Sequence, residues 1–235
     1  MEFSVNFSNL NIKINSKYDY VYNFCRDYLS EETPDFAVET TDEKIDNEIA
    51  SVDFEPSRGY AESICIYREI AERLPEFNRC VFHGAVIEYN KKGFLFTAPS
   101  GTGKTTHIRL WKKFLGDSVE IVNGDKPILQ IEEDGVTAWA TPYAGKEKYQ
   151  NHSSVKLSGM CLIKRGKENR IEKVNAGEHI TEIISQIYMP YEPLQSIKTL
   201  ELLDRLLKEV PLYVLHCDIS EEAFKTSFGA LVNED

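Results

Sequence analysis

The 235-residue sequence predicts an α/β domain with a phosphate-binding loop, preceded by a small α+β lobe. Three observations predict it. From Cys80 onward, strand-like apolar runs alternate with helical patterns, the signature of α/β architecture. The run "GFLFTA" breaks off at "APSGTGKTT" and resumes as "KTTHIRLWKKFLG", the strand, loop and helix order in which glycine-rich phosphate loops occur. The stretch before Cys80 mixes alternating strands with amphipathic helices and lacks that order. The division falls near residue 78, with a lobe at 1–78 and a main domain at 79–235.

Taken in order, "FSVNFSNLNIKIN" alternates apolar and polar residues and predicts a strand or hairpin over 3–15. "YDYVYNFCRDYL" has helical spacing and ends before "SEETPD". "FAVET" and "EIASVDF" read as strands, and the acidic "EETPD" and "TTDEKIDNE" as solvated turns. "GYAESICIYREIAERLPE" is a helix stopped at Pro75. "CVFHGAVIEY" and "GFLFTA" are successive strands across the turn "NKKG", and the helix that follows closes at Gly116. "VEIV" is a short buried strand, "VTAWA" and "MCLIKRG" are strands around a polar connection, and "PLYVLHCDI" is another buried strand. Helical spacing recurs in "GEHITEIISQIYMP", in "SIKTLELLDRLLKEV" and in "SEEAFKTSFGAL", where Ser220 is the N-cap and glutamates fill the first turn. The leucines of the second of these read as core.

Composition narrows the function classes. Acidic residues outnumber basic ones by 38 to 27, a net charge of −11 that argues against nucleic-acid binding. No apolar run approaches the roughly 18 residues of a membrane span, and the N-terminus lacks a secretory pattern, so a soluble, cytoplasmic protein is expected. Five scattered cysteines without C-x-x-C spacing suit reduced core thiols. His152, His179 and His216 have no metal spacing, and His107 reads as structural.

The loop carries the most specific chemistry. Gly101 and Gly103 let backbone N–H groups turn inward around a polyphosphate, Lys104 supplies a charge to the outer phosphates, and the Thr105 hydroxyl suits Mg²⁺. Nucleotide binding is thereby expected of Pro99, Ser100, Gly101, Thr102, Gly103, Lys104, Thr105 and Thr106, with Ala98 where a first glycine usually stands. Asp125, just past "VEIV", is the candidate for metal ligation or for a base, although "NGD" is also an ordinary turn sequence. Lys146, Lys148 and Arg165 lie at strand ends where they can neutralise a transferred phosphate, or simply be solvated.

"HG" before the loop strand, then "GFLF", "APSGTGKTT" and an acidic strand end together resemble the catalytic domain of HPr kinase/phosphorylase. More distantly they resemble the nucleotide domain of ATP-dependent phosphoenolpyruvate carboxykinase, whose S-G-T-G-K-T-T loop is matched by Ser100 to Thr106. The resemblance covers roughly residues 80–160. It implies ATP on the loop, Mg²⁺ at Thr105 and Asp125, and catalytic roles for Lys104, Asp125 and His83, the match to a histidine on the preceding strand. Such families use a tandem Asp-Asp; here the first position is Gly124, which puts the kinase's general base in question. "NGDKP" is similar to small HPr-kinase-like bacterial proteins, some relatives of which phosphorylate a peptide serine. The implied activity is ATP- and Mg²⁺-dependent phosphorylation of an alcohol on a peptide, small protein or small molecule, with homo-oligomerisation left open. A non-catalytic nucleotide-binding partner protein and a small carboxykinase-like enzyme are the alternatives.

Overall fold

The computed structural model describes residues 1–146, Tyr149 and 151–233, with the Asn233 side chain left aside. Among these the chain is a mixed α/β fold with two sheets. In the first, β1 (Glu2–Phe7) and β2 (Leu10–Asn15) form the expected hairpin, and β3 (Phe36–Glu39) adds parallel to β2. Helices α1 (Asp19–Cys25), α2 (Asp42–Ala50) and α3 (Arg58–Arg73) belong to this part of the chain.

Two expectations fail in this region. Residues 42–50 form α2 rather than a solvated turn, and 48–54 contain no strand. Thr41 caps the helix by accepting from Lys44 N–H, Asp42 and Glu43 suit its positive end, and Ile45 is buried against Ala61 and Cys65 of α3. One buried isoleucine in a charged stretch was too weak a periodic signal to outweigh its acidity.

The second sheet is built from β4 (Arg79–Val81), β5 (Gly84–Tyr89), β6 (Lys92–Thr97), β7 (Val119–Asn123), β8 (Ile128–Glu132), β9 (Gly135–Trp139), β10 (Ser154–Arg165), β11 (Arg170–Lys173) and β12 (Leu212–Cys217). Between β6 and β7 runs α4 (Lys104–Leu115), capped by Gly116 in a positive-φ conformation, as expected. The twelve-residue β10 joins two halves of this sheet: its start pairs antiparallel with β9, and its remainder pairs parallel with β6 and β12.

"CVFHGAVIEY" is two strands, not one. β4 pairs with β8, β5 pairs with β6 and β7, and Phe82 and His83 fill the break. His83 therefore stands at a strand entrance instead of within a strand. The expected helix at 177–190 shrinks to α5 (Ile180–Ile184), because residues 186–188 bond as extended backbone to 81–83. Helices α6 (Pro193–Glu209) and α7 (Glu221–Asn233) complete the chain, with Ser220 accepting from Ala223 N–H.

In α6, Leu202, Leu203 and Leu206 face the core, whereas Leu194, Ile197 and Leu200 stay exposed. All five cysteines are buried free thiols; burial pushes Cys25 and Cys80 up to about 12. No described helix is long and apolar enough to cross a membrane.

The first 78 residues share one apolar core with later elements: Ile66, Tyr67 and Ile70 of α3 pack with Val81, Ile128 and Tyr143. The Tyr67 and Tyr143 rings stack with centroids 3.8 Å apart. Their hydroxyls reach across, Tyr67 to the Lys126 carbonyl and Tyr143 to the Ser63 carbonyl, at 2.8 Å each.

Candidate functional site

Sheet direction gathers the candidate residues on one edge. β6 and β10 are parallel, and β5 is antiparallel to both β6 and β7. The exits of β6, β7 and β10 and the entrance of β5 consequently share that edge. The registers Gly84↔Thr97 and Val86↔Asn123 bring His83 beside the loop after β6 and the turn after β7. Crevices outside such strand ends are where open α/β sheets bind ligands.

The loop of residues 98–103 starts at Ala98, which is fully buried, and turns through Gly101 (φ 76°) and Gly103 (φ 130°), conformations that L side chains rarely adopt. Among the described residues no side chain caps α4 at Gly103, so its first turn faces the loop with the positive end of its dipole. Lys104, only 7% exposed, donates to the Ala98 carbonyl at 2.8 Å. Burial pushes its pKa down, opposed by the Asp125 charge. Thr105 is partly exposed on the first turn and Thr106 is exposed.

Asp125 is held by an Asn123 scaffold that sequence reasoning did not single out. The fully buried Asn123 accepts from the backbone N–H groups of Asp125 and Lys126 at 2.9 Å each, and its Nδ2 donates to Thr141. Asp125 carbonyl accepts from Gly84 N–H at 2.8 Å, tying the turn to the strand that follows His83. Asp125 Oδ1 lies 3.4 Å from His83 Nε2, and Oδ2 lies 3.9 Å from Lys126 Nζ. Burial pushes the Asp125 carboxyl up, but the His83 hydrogen bond and the charges of Lys126, His83 and Lys104 outweigh it and hold it below its ordinary value. It is ionised at neutral pH, as either a metal ligand or a proton acceptor requires.

His83 is braced by a second residue missed in the sequence. Its Nδ1 is 2.9 Å from Gln186 Oε1, and its backbone N–H donates to the Gln186 carbonyl at 2.6 Å. Gln186 is 5% exposed, and its amide donates to Ser185 Oγ at 2.8 Å, which orients Oε1 toward the imidazole. Gln186 lies about a hundred residues downstream in a segment that reads as helix, so no local pattern connects it with His83.

Gly124 has a packing reason. A Cβ there would lie 2.7 Å from the Ala144 carbonyl and 3.2 Å from Tyr149 Cβ. The space a first aspartate would need is filled by backbone. Gly124→Asp is expected to destabilise the fold by roughly 1–3 kcal/mol without adding a usable carboxylate; a chemical melt of the variant no less stable than the parent would contradict this.

His83, Asp125, Lys126 and Ser100 line one cleft of about 450 Å³ with residues of α3 and of 185–188. Arg165 is placed elsewhere: its guanidinium donates to the Gly101 and Thr102 carbonyls from the exit of β10, bracing the loop. Lys146 is exposed on the turn after Gly145, and Lys148 lies outside the described residues. His107 is buried in α4, with Nε2 2.9 Å from Ser227 Oγ. Among the described residues no group of three or more His, Cys, Asp or Glu could hold a metal ion by itself. Thr105 and Asp125 carry oxygen donors of the kind Mg²⁺ takes when it arrives with phosphates, since it needs only one or two protein ligands and fills its shell with phosphate oxygens and water.

No family model matches the chain, and no curated protein matches it. Among solved structures, the HPr(Ser) kinase/phosphatase from Coxiella burnetii aligns with 55% of this chain and 92% of its own, at 14% identity and a TM-score of 0.30. A likeness that loose carries no weight for the fold or for the chemistry.

Proposed function

We propose that the protein is an ATP- and Mg²⁺-dependent kinase that transfers the γ-phosphoryl group to an alcohol, with a serine of a peptide or small protein as the favoured acceptor. The observation that carries this reading is the convergence of the 98–103 loop, Lys104, Asp125 and His83 on one sheet edge. The resemblance of "APSGTGKTT" and its flanking strands to HPr kinase/phosphorylase supports the same assignment.

In this reading the main domain, 79–235, is a phosphate-loop domain of the HPr kinase and phosphoenolpyruvate carboxykinase type. The lobe 1–78 supports it through the Tyr67 and Tyr143 pair. The loop N–H groups and the α4 terminus hold the phosphates, and the Lys104 ammonium spreads the charge of the moving phosphoryl group. Mg²⁺ bound with the nucleotide would lie on Thr105 and Asp125 and neutralise charge on the phosphate oxygens. In this reading Asp125, 3.4 Å from His83, holds that metal or takes the acceptor's proton, and the steric closure at Gly124 leaves both tasks to one carboxylate. Arg165 braces the loop, and the exposed Lys146 is assigned the neutralisation of transferred phosphate.

Titration calorimetry with ATP and ADP, with and without Mg²⁺, tests the reading in the parent and in Asp125→Asn. Mg²⁺-dependent ATP binding, weakened about tenfold or more in the variant, is the expected result. Absence of binding to either nucleotide would remove the basis of the proposal. Tight binding with no transfer to any hydroxyl would instead favour the non-catalytic partner, the reading that a single carboxylate keeps alive.

A further inference from the structure

Resting on the kinase reading, we infer that the acceptor enters between α3 and residues 185–188. We infer further that it is an extended peptide with an apolar residue beside the reacting hydroxyl and a basic residue further along. The cleft that ends at His83 and Asp125 has apolar side walls, Ile64 and Ala71 on α3 facing Ile187. Its volume of about 450 Å³ is in the range of sites that enclose a small ligand or a few side chains. A hydroxyl held at its polar end lies beside the loop, because Ser100 lines the same cleft.

A second cleft adjoins it. Arg68 and Tyr188 line both the first and this second cleft, of about 770 Å³, between α2, α3 and residues 191–192. Together the two offer far more room than a small alcohol needs, and an extended chain, advancing about 3.3 Å per residue, is the occupant we assign across both. The second cleft sets four carboxylates, Glu48, Glu69, Glu72 and Glu192, against two cations, Lys44 and Arg68. Arg68 pairs with Glu48, and Lys44 pairs with Glu69 at 2.5 Å. Glu72 is bound by the Tyr188 hydroxyl at 2.8 Å and by Tyr191 N–H, and Glu192 by Gln195 N–H at 2.8 Å. These partners are neutral donors rather than cations, so the carboxylates of this cleft outnumber its cations, and a Lys or Arg of the occupant complements them.

The test offers the full chain a serine-centred peptide library with γ-labelled ATP, alongside a calorimetric ATP titration of each protein. Two variants separate the parts of the groove: Ile64→Trp fills the first cleft, and Glu72→Gln with Glu192→Gln removes charge while keeping an amide oxygen for each donor. The parent is expected to select peptides with an apolar neighbour and a distal Lys or Arg. In Ile64→Trp, label incorporation should fall about tenfold or more. In the double variant, the preference for Lys or Arg should fall about fivefold with the apolar preference retained. Each variant should bind ATP as the parent does.

Flat or acidic selectivity, selectivity unchanged in both variants, or labelling of no peptide by a protein that binds ATP would overturn the groove assignment. Failure of the parent to bind ATP would overturn the kinase reading first, so the two failures are told apart by the titration.

Discussion

Lys104→Ala should lose nucleotide-dependent function almost completely while folding as well as the parent or better. Lys104 is 7% exposed and, among the described residues, its ammonium has one backbone carbonyl, at 2.8 Å, to offset its lost hydration. Burial accordingly lowers its pKa, with the Asp125 charge pulling the other way. A buried cation so thinly partnered is a cost to the empty fold, and removing it relieves that cost. On the proposed kinase reading a polyphosphate on the loop partners the same ammonium, and its loss should slow transfer by roughly 10²–10³-fold. Thermal melts with and without MgATP separate the two effects. For the parent, ATP at about 100 times its Kd adds about 2.7 kcal/mol of stability. The variant should show an unchanged or higher melting point without nucleotide and no shift with it. A variant that keeps the ATP-induced shift would show that Lys104 does not meet the phosphates.

The second large effect is on stability and comes from acidification. His107 is buried against Phe96 and Trp111, with ring centroids of Phe96 and His107 5.0 Å apart. Its Nε2 and the Trp111 indole both meet Ser227 Oγ, and the Ser227 hydroxyl donates to the Phe224 carbonyl. That serine oxygen accepts, so Nε2 carries the proton and Nδ1, buried with no hydrogen-bond partner among the described residues, stays bare. Burial pushes the His107 pKa down from 6.5 to about 4. The unfolded chain then binds a proton that the folded one refuses, so stability rises with pH between these values. Going from pH 7 to 4, the fold should lose about 3 kcal/mol from this residue, most of it below the unfolded-state pKa of about 6.5. Asp125, held below its ordinary value, adds a further loss at lower pH. Denaturant melts across that range should show the slope in the parent, and His107→Gln, which keeps a donor for Ser227, should flatten it. An equal slope in both would place the acid sensitivity elsewhere.

The strands β1, β2, β3, β6, β7, β9 and β12 and the helices α3, α4, α6 and α7 were legible because periodic apolar patterns and strong punctuation such as Pro75, Gly116 and Ser220 are local properties of the chain, whereas β8 and β11 were not read as strands and β4 and β5 were read as one. α2 was not, because its burial rests mainly on Ile45 meeting α3, a contact that no window of charged residues reveals. The short α5 was overread because helical spacing at 177–190 lost to backbone pairing with 81–83, a tertiary competition invisible to periodicity.

The candidate site divides in the same way. By itself the sequence determined the loop's conformation: the positive-φ angles at 101 and 103 demand glycine, and a lysine at the first helical position follows from spacing alone. It also placed Asp125 at a strand exit. Only the tertiary structure decided that His83 meets that aspartate, that Asn123 and Gln186 orient the pair, and that Ala144 and Tyr149 close the space beside Gly124. Backbone dihedrals and caps are settled within a few residues. Strand register, and the side chains it brings face to face from a hundred residues apart, are settled only when the whole sheet forms.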